Sequence, residues 1–232
     1  WCPTPGAEKV SASAKAFASA QGLLASGFCD AVITGGVDAL CELTLNGFEA
    51  LSSLSRTISK PMSKNRDGLN IGEGAALFIL TRDQGPMQLC SVGESCDAYH
   101  MSAPHPEGIG AEAAMRHALH EAHLQPADIH YLNLHGTGTP LNDAMEAKAV
   151  QRLLGHLPCS STKPTIGHCL GAAGAIEIGF CWLALQQGQH GVYPLLPHAW
   201  DGEPDETLPE LHLVCRGDTL EQHGPVYFMS NS

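Results

Sequence analysis

Ile129-His130-Tyr131-Leu132-Asn133-Leu134 runs directly into His135-Gly136-Thr137-Gly138-Thr139-Pro140, and this junction decides how the chain is read. The first six residues have the length and apolar content of a strand. The next six place a histidine on a tight turn of Gly, Thr and Pro, which presents its ring in a cleft. A helix is predicted over 142–154, begun near Asn142 or Asp143, both suitable N-cap residues. Strand, turn and helix in that order are the working unit of a layered α/β protein.

The same rhythm extends in both directions. Upstream, the small-residue run Ser11–Ser26 is helical in character, with Ala16, Ala20, Leu23 and Leu24 on one side and Gly27 placed to end it. Asp30 to Thr34 is a short apolar strand closed by Gly35-Gly36. Residues 52–74 are polar and turn-rich and read as a long loop. Ala75 to Leu80 is a continuous apolar run, which predicts a second strand buried on both faces. Asp83-Gln84-Gly85-Pro86 punctuates the chain and sets the expected boundary between residues 1–84 and 85–232. Downstream, strands are expected at Leu89–Val92, at the residues ending in Ser160-Ser161-Thr162-Lys163, at Leu211–Val214 and at Val226–Met229. Helices are expected over 110–124 and 171–187, and no fixed-period repeat interrupts the pattern.

Bulk properties exclude several classes. The 232 residues are 44% hydrophobic and 16% charged, which suits a globular chain with a real core. Twelve Lys and Arg against 24 Asp and Glu give a net charge of −12, the opposite of a nucleic-acid footprint. Nine cysteines are scattered without a C-x-x-C pair, so neither a structural zinc site nor a redox dithiol is indicated, and a reduced cytoplasmic protein is expected. No run of about 18 apolar residues predicts a membrane span, and no charged segment followed by an apolar stretch suggests a secretory signal. The opening Trp1-Cys2-Pro3 and the stop at Asn231-Ser232 both look like cut ends.

Three segments could carry chemistry. In the first, His135 heads the HGTGTP turn; a single histidine in a turn is, by itself, more often a surface hydrogen-bonder. In the second, Lys163 and His168 flank the loop TKPTIGH, which opens the helix beginning Cys169-Leu170-Gly171-Ala172-Ala173-Gly174. Gly171 and Gly174 each cost a helix about 1 kcal/mol relative to Ala, so a close backbone approach is expected there. The third is Arg66-Asp67-Gly68 with Gly72-Glu73-Gly74, a turn entering a strand. His117, His120 and His123 share about a third of a helix circumference, where a solvated polar face explains them as well as a metal would. HGTGTP is not a P-loop, since it lacks the Gly-Lys-Ser/Thr ending.

HGTGTP followed by TKPTIGHCLGAAGA, preceded by RDGLNIGEGAA and DAVITGGVDAL, resembles the β-ketoacyl-acyl-carrier-protein synthases of fatty acid and polyketide synthesis. Asp97-Ala98-Tyr99-His100-Met101 is similar to the segment that starts their C-terminal half. The wording of Gly35–Phe48 resembles synthases of aryl-polyene-type pathways. The likeness implies a thiolase-like layered αβαβα fold, with the C-terminal half nearly complete and the N-terminal half partial. It also implies decarboxylative Claisen condensation of an acyl thioester with malonyl-acyl-carrier protein, without cofactor or metal. His135 and His168 match the two histidines that stabilise charge on the malonyl thioester oxygen. Lys163 matches the supporting lysine, and Glu177 a buried acid on the following helix.

The likeness breaks at the nucleophile. Counting back from Gly35-Gly36, the catalytic cysteine position falls on Val10, and valine forms no thioester. Neither Cys2 nor Cys29 is a convincing substitute. The resemblance therefore implies an impaired synthase, a fragment of a longer chain, that works with acyl carrier protein and pairs as a homodimer or with another ketosynthase-fold chain. The alternatives are a non-catalytic partner comparable to chain-length factors, or an inactive gene fragment. Retention of both histidines and Lys163 speaks against the first of these.

Overall fold

The structure, a computed structural model, describes residues 12–83, 85–100 and 103–232. Helix α1 (Ala12–Ala25) buries Ser13, Phe17, Ala20 and Leu24, which recur at helical spacing along one face. It ends where the sequence places its stop: Gly27 N–H donates to Leu24 O and Phe28 N–H to Leu23 O, the double bond that closes a helix C-terminus. Strand β1 (Ala31–Asp38) then pairs antiparallel with β2 (Gly74–Thr81), from Ala31 opposite Thr81 to Asp38 opposite Gly74. Between them lie α2 (Glu42–Ala50), a helix the sequence reading did not expect, and the long loop. None of the residues of α2 is buried, so little packing signal marks it.

A second, parallel sheet has the strand order β6 (His212–Leu213), β4 (Pro158–Ser160), β3 (Ile129–Asn133), β8 (Tyr227–Ser230). On one side, Met115 and Leu119 of α3 (Ile109–Glu121) and Ala147, Val150 and Leu153 of α4 (Pro140–Leu154) pack with Ile129, Leu132 and Cys159. On the other, Tyr131 and Val214 meet Cys181 of α6 (Ala173–Gln186). Helix α6 also touches β1, β2 and α1, so α1 and α6 form a layer between the two sheets. The described residues thus stack as sheet, helices, sheet, helices, four layers of a thiolase-like α/β fold. The close approach expected of the glycines is at this middle layer: a methyl group on Gly174 would sit 3.2 Å from Ser13 Oγ and 3.3 Å from Ala14 N. The short helix α5 (Lys163–Ile166), the antiparallel pair β5 (Val192–Pro194) and β7 (Thr219–Glu221), and 3-10 turns at Pro126–Asp128 and Leu170–Ala172 complete the described elements.

Three expectations need correction. Leu89–Val92 forms no strand; the segment lies along α3 instead, with Ser91 Oγ donating to Ala118 O at 2.7 Å, and has no ladder partner among the described residues. Helix α4 starts at Pro140 behind Thr139, because proline already fixes the backbone of a first helical turn. Asn142 and Asp143 are therefore inside the helix. Lastly, β2 exists, but it is covered on one face only: Leu77 and Ile79 are 66% and 70% exposed. Among the described residues no helix is long and apolar enough to cross a membrane.

Candidate active site

Strand β3 and its turn bring His135 to the centre of the second sheet's C-terminal edge. Two carboxylates of α4 hold that turn from behind. Glu146 accepts the backbone N–H groups of His135 and Gly136, at 2.7 Å each, and Asn231 Nδ2 at 2.6 Å. Asp143 accepts Met62 N–H at 2.8 Å and Gly138 N–H at 3.2 Å. Gly138 has φ +79°, and a methyl group there would lie 2.8 Å from Gly68 O. Glycine is what lets the turn pack against the loop. Burial raises the Asp143 pKa and pushes Glu146 up to about 7, in spite of the donors each carboxylate accepts.

His168 comes from the other direction. It follows α5, and its backbone is fixed by the long loop: His168 N–H donates to Asn70 O at 2.7 Å, and Gly72 N–H donates to His168 O at 3.1 Å. The two imidazoles meet edge to face, with ring centroids 5.3 Å apart and planes at 85°. Neither Nδ1 has a hydrogen-bond partner among the described residues. His168 is 1% exposed, and burial followed by the charge of Lys163 lowers its pKa to about 3. Burial, then Lys163, then His168 hold His135 well below the usual histidine value. Both rings are accordingly neutral at physiological pH, each with one N–H to donate.

Lys163 and Glu177 form a buried ion pair beside the rings, exposed by 2% and 0% respectively in their side chains. Each partner compensates for the desolvation of the other. Ser161 ties this element to the histidine turn: its Oγ donates to Gly136 O at 2.7 Å and accepts Lys163 N–H at 3.3 Å. Behind Ser161 stands His198, whose Nδ1 accepts Ser161 N–H while Nε2 donates to Pro61 O, both at 3.0 Å. These two bonds fix one neutral tautomer, and burial lowers the His198 pKa to about 4.

The structure thus brings together four of the residues singled out in the sequence, His135, His168, Lys163 and Glu177. Val10 and Cys2 lie outside the described residues, and Cys29 lies beyond α1 in the loop before β1. The start of α1 abuts the start of α6, where Ala175 N–H donates to Ser13 Oγ at 3.0 Å. Cys169, next to His168, is buried, and burial raises its pKa, which disfavours the thiolate. His117 accepts Glu94 N–H and His120 meets Glu121, and with His123 they form no group that could hold a metal ion among the described residues. Sequence reasoning missed Asp143, Glu146, Ser161, His198 and Asn231. Only the first two carried a local signal: they share the core stripe of α4 with Ala147 and Val150, an unusual place for two acids.

Comparison with known proteins gives the same picture from outside. Residues 9–85 match the N-terminal domain family of beta-ketoacyl synthases, and residues 88–195 match the C-terminal domain family. The 3-oxoacyl-[acyl-carrier-protein] synthase 2 of Staphylococcus aureus is 35% identical over 224 residues, which cover 89% of this chain and 54% of that protein. A chain from the complex of a ketosynthase with its chain length factor from Xenorhabdus doucetiae is 46% identical, with a TM-score of 0.87 over 94% of this chain and 53% of its own. A chain from a type II PKS acyl-carrier protein in complex with its ketosynthase bound to the hexaketide is 25% identical, with a TM-score of 0.80 over 94% of this chain and 57% of its own. The chain spans about half the length of the curated relatives it matches. With both domains matched in order and the fold shared, the chain belongs to the beta-ketoacyl synthase family.

Proposed function

We propose that the site serves the decarboxylation step of a decarboxylative Claisen condensation, with malonyl-acyl-carrier protein as the donor. His135, His168 and Lys163 are the residues assigned to the reaction, with Glu177 in support. The two halves of the synthase fold are taken as residues 1–84 and 85–232. The observation that carries this reading is the pair of neutral imidazoles 5.3 Å apart beside a buried cation.

In the step, the bond between the malonyl Cα and its carboxylate breaks and carbon dioxide leaves. The electron pair moves onto the thioester oxygen, forming an enolate, which later attacks an acyl carbon. Two N–H donors converging on that oxygen stabilise the charge as it develops, and they need no reorganisation to do so. Neutral rings suit this role, because a proton is lent and never transferred. Burial keeps both rings neutral, Lys163 adds to this by opposing a second positive charge, and Glu177 compensates the buried Lys163. With Val10 at the nucleophile position, the chain forms no acyl thioester of its own, so decarboxylation is the part of the cycle it retains.

The test is carbon dioxide release from carboxyl-labelled malonyl-acyl-carrier protein by the purified chain. His135→Ala or His168→Ala should slow release by roughly 100- to 1,000-fold, the usual cost of one such donor. Release that survives His135→Ala overturns the assignment. Condensation with an acyl thioester by this chain alone would overturn the reading of Val10. If no carbon dioxide is released, a non-catalytic role beside an active ketosynthase becomes the better reading.

A further inference from the structure

We propose that His198 is a positioning residue for the histidine pair, holding the turn of His135 and the start of α5 in register with the loop that fixes His168. The residue is 7% exposed. Its backbone N–H donates to Val214 O at 2.8 Å, and the Trp200 ring meets the imidazole edge to face with centroids 5.6 Å apart. A ring enclosed in this way has little freedom to swing aside, and both of its nitrogens are engaged.

The two nitrogens lead to different segments. Through Nδ1 the ring holds Ser161 N–H at 3.0 Å. Ser161 Oγ in turn donates to the carbonyl of Gly136, the residue after His135, and accepts Lys163 N–H. Through Nε2 the ring holds Pro61 O at 3.0 Å. From that loop Met62 N–H donates to Asp143, which also accepts Gly138 N–H of the histidine turn. Ser59 N–H donates to Asn70 Oδ1 at 2.8 Å, and Asn70 O accepts His168 N–H. One arm therefore reaches His135 and Lys163, and the other reaches the loop that carries His168.

Histidine suits the position because a neutral imidazole offers one acceptor and one donor on a rigid frame. An aliphatic side chain of similar size would leave Ser161 N–H and Pro61 O buried without this partner. Donors aimed at a developing charge lose their effect when the backbone that carries them drifts, so a strut between the two loops acts on the rate without touching a reacting atom. For its rate readout this inference rests on the proposed decarboxylation; its geometry is read independently of that reaction.

Two substitutions separate the arms. The Oδ1 of His198→Asn replaces Nδ1 and keeps the bond to Ser161, while the Nε2 of His198→Gln replaces the ring Nε2 and keeps only the bond to Pro61. Each leaves one buried group unpaired, so both should lower Tm by several degrees. His198→Gln should slow carbon dioxide release by about 10- to 100-fold and shift the ring signals of His135 and His168 in NMR spectra of histidine-labelled protein. His198→Asn should stay near the rate of the unsubstituted chain, with those signals in place. Ser161→Ala, which cuts the link to Gly136, should slow release as well, and His198→Gln should then add little. Equal rates and equal ring signals in the two His198 variants overturn the proposal, and so does a full cost of His198→Gln in the Ser161→Ala background. If the unsubstituted chain releases no carbon dioxide, the decarboxylation reading falls, and the ring signals alone decide whether His198 positions the pair.

Discussion

The parallel sheet and the antiparallel pair β1 and β2 are both built from apolar strands but end in opposite conditions. The parallel sheet is covered by α3 and α4 on one side and α6 on the other, and Tyr131, Leu132 and Leu134 are fully buried. The antiparallel pair β1 and β2 is covered on one side only. The histidine pair, the ion pair and the two acids of α4 are all carried by the covered sheet and its flanking segments. A site that must hold two rings in fixed geometry needs this support, because hydrogen-bond donors work only where their backbone cannot drift.

Substitutions can break or sharpen this contrast. Lys163→Met should have the largest effect, lowering stability by about 3–5 kcal/mol in urea titration, because Glu177 is left as a buried charge without its partner. The same change at Arg56, exposed on the surface beside Glu49, should cost under about 1 kcal/mol. Leu132→Ala in the covered sheet should cost about 2–5 kcal/mol.

The pH dependence follows from His198. Its pKa is about 4 when folded, against an ordinary 6.5, so between those values the unfolded chain binds more protons. Its contribution is complete above pH 6.5 and is lost as pH falls towards 4. At pH 5 the loss from His198 is on the order of 2 kcal/mol, and since His168 and His135 act in the same direction, His198→Asn should reduce the slope of acid denaturation curves by about one proton without flattening it. Glu146 has the opposite sign: with its pKa raised to about 7, stability falls as pH rises from 4.5 towards 7. Glu146→Gln should remove that slope while costing about 1–3 kcal/mol, since an amide N–H₂ then faces a backbone donor. Ile79→Ala is the smallest, within about 0.5 kcal/mol for an exposed residue. A cost at Ile79 equal to that at Leu132 would show that the two sheets are not different after all.

How far the sequence could be read depended on where each feature's cause lay. Helix α1, the strand before His135 and helix α6 were legible because periodicity and a glycine or proline stop are local properties. The histidine pair, Lys163 and Glu177 were recognised through two long motifs, while their convergence is a property of the fold. The strand expected at Leu89–Val92 failed because a short, mostly apolar stretch says nothing of its neighbour, and Ser91 donates to α3 instead. Two-sided burial of Ala75–Leu80 was a correct reading of composition and an incorrect one of this structure. His198 and Asn231 reach the site from segments far along the chain, and no short-range pattern announces them.

The Lys163–Glu177 pair has a consequence for behaviour in salt. Counter-ions weaken contacts they can approach, over a distance of about 8 Å at physiological ionic strength and about 3 Å at 1 M. Arg82 with Asp30 and Lys64 with Glu203 stand at the surface, within their reach. Lys163 and Glu177 do not, because protein fills the space around both. Raising the salt therefore strips away the outer charges of the molecule and leaves the field at the two imidazoles almost as it was.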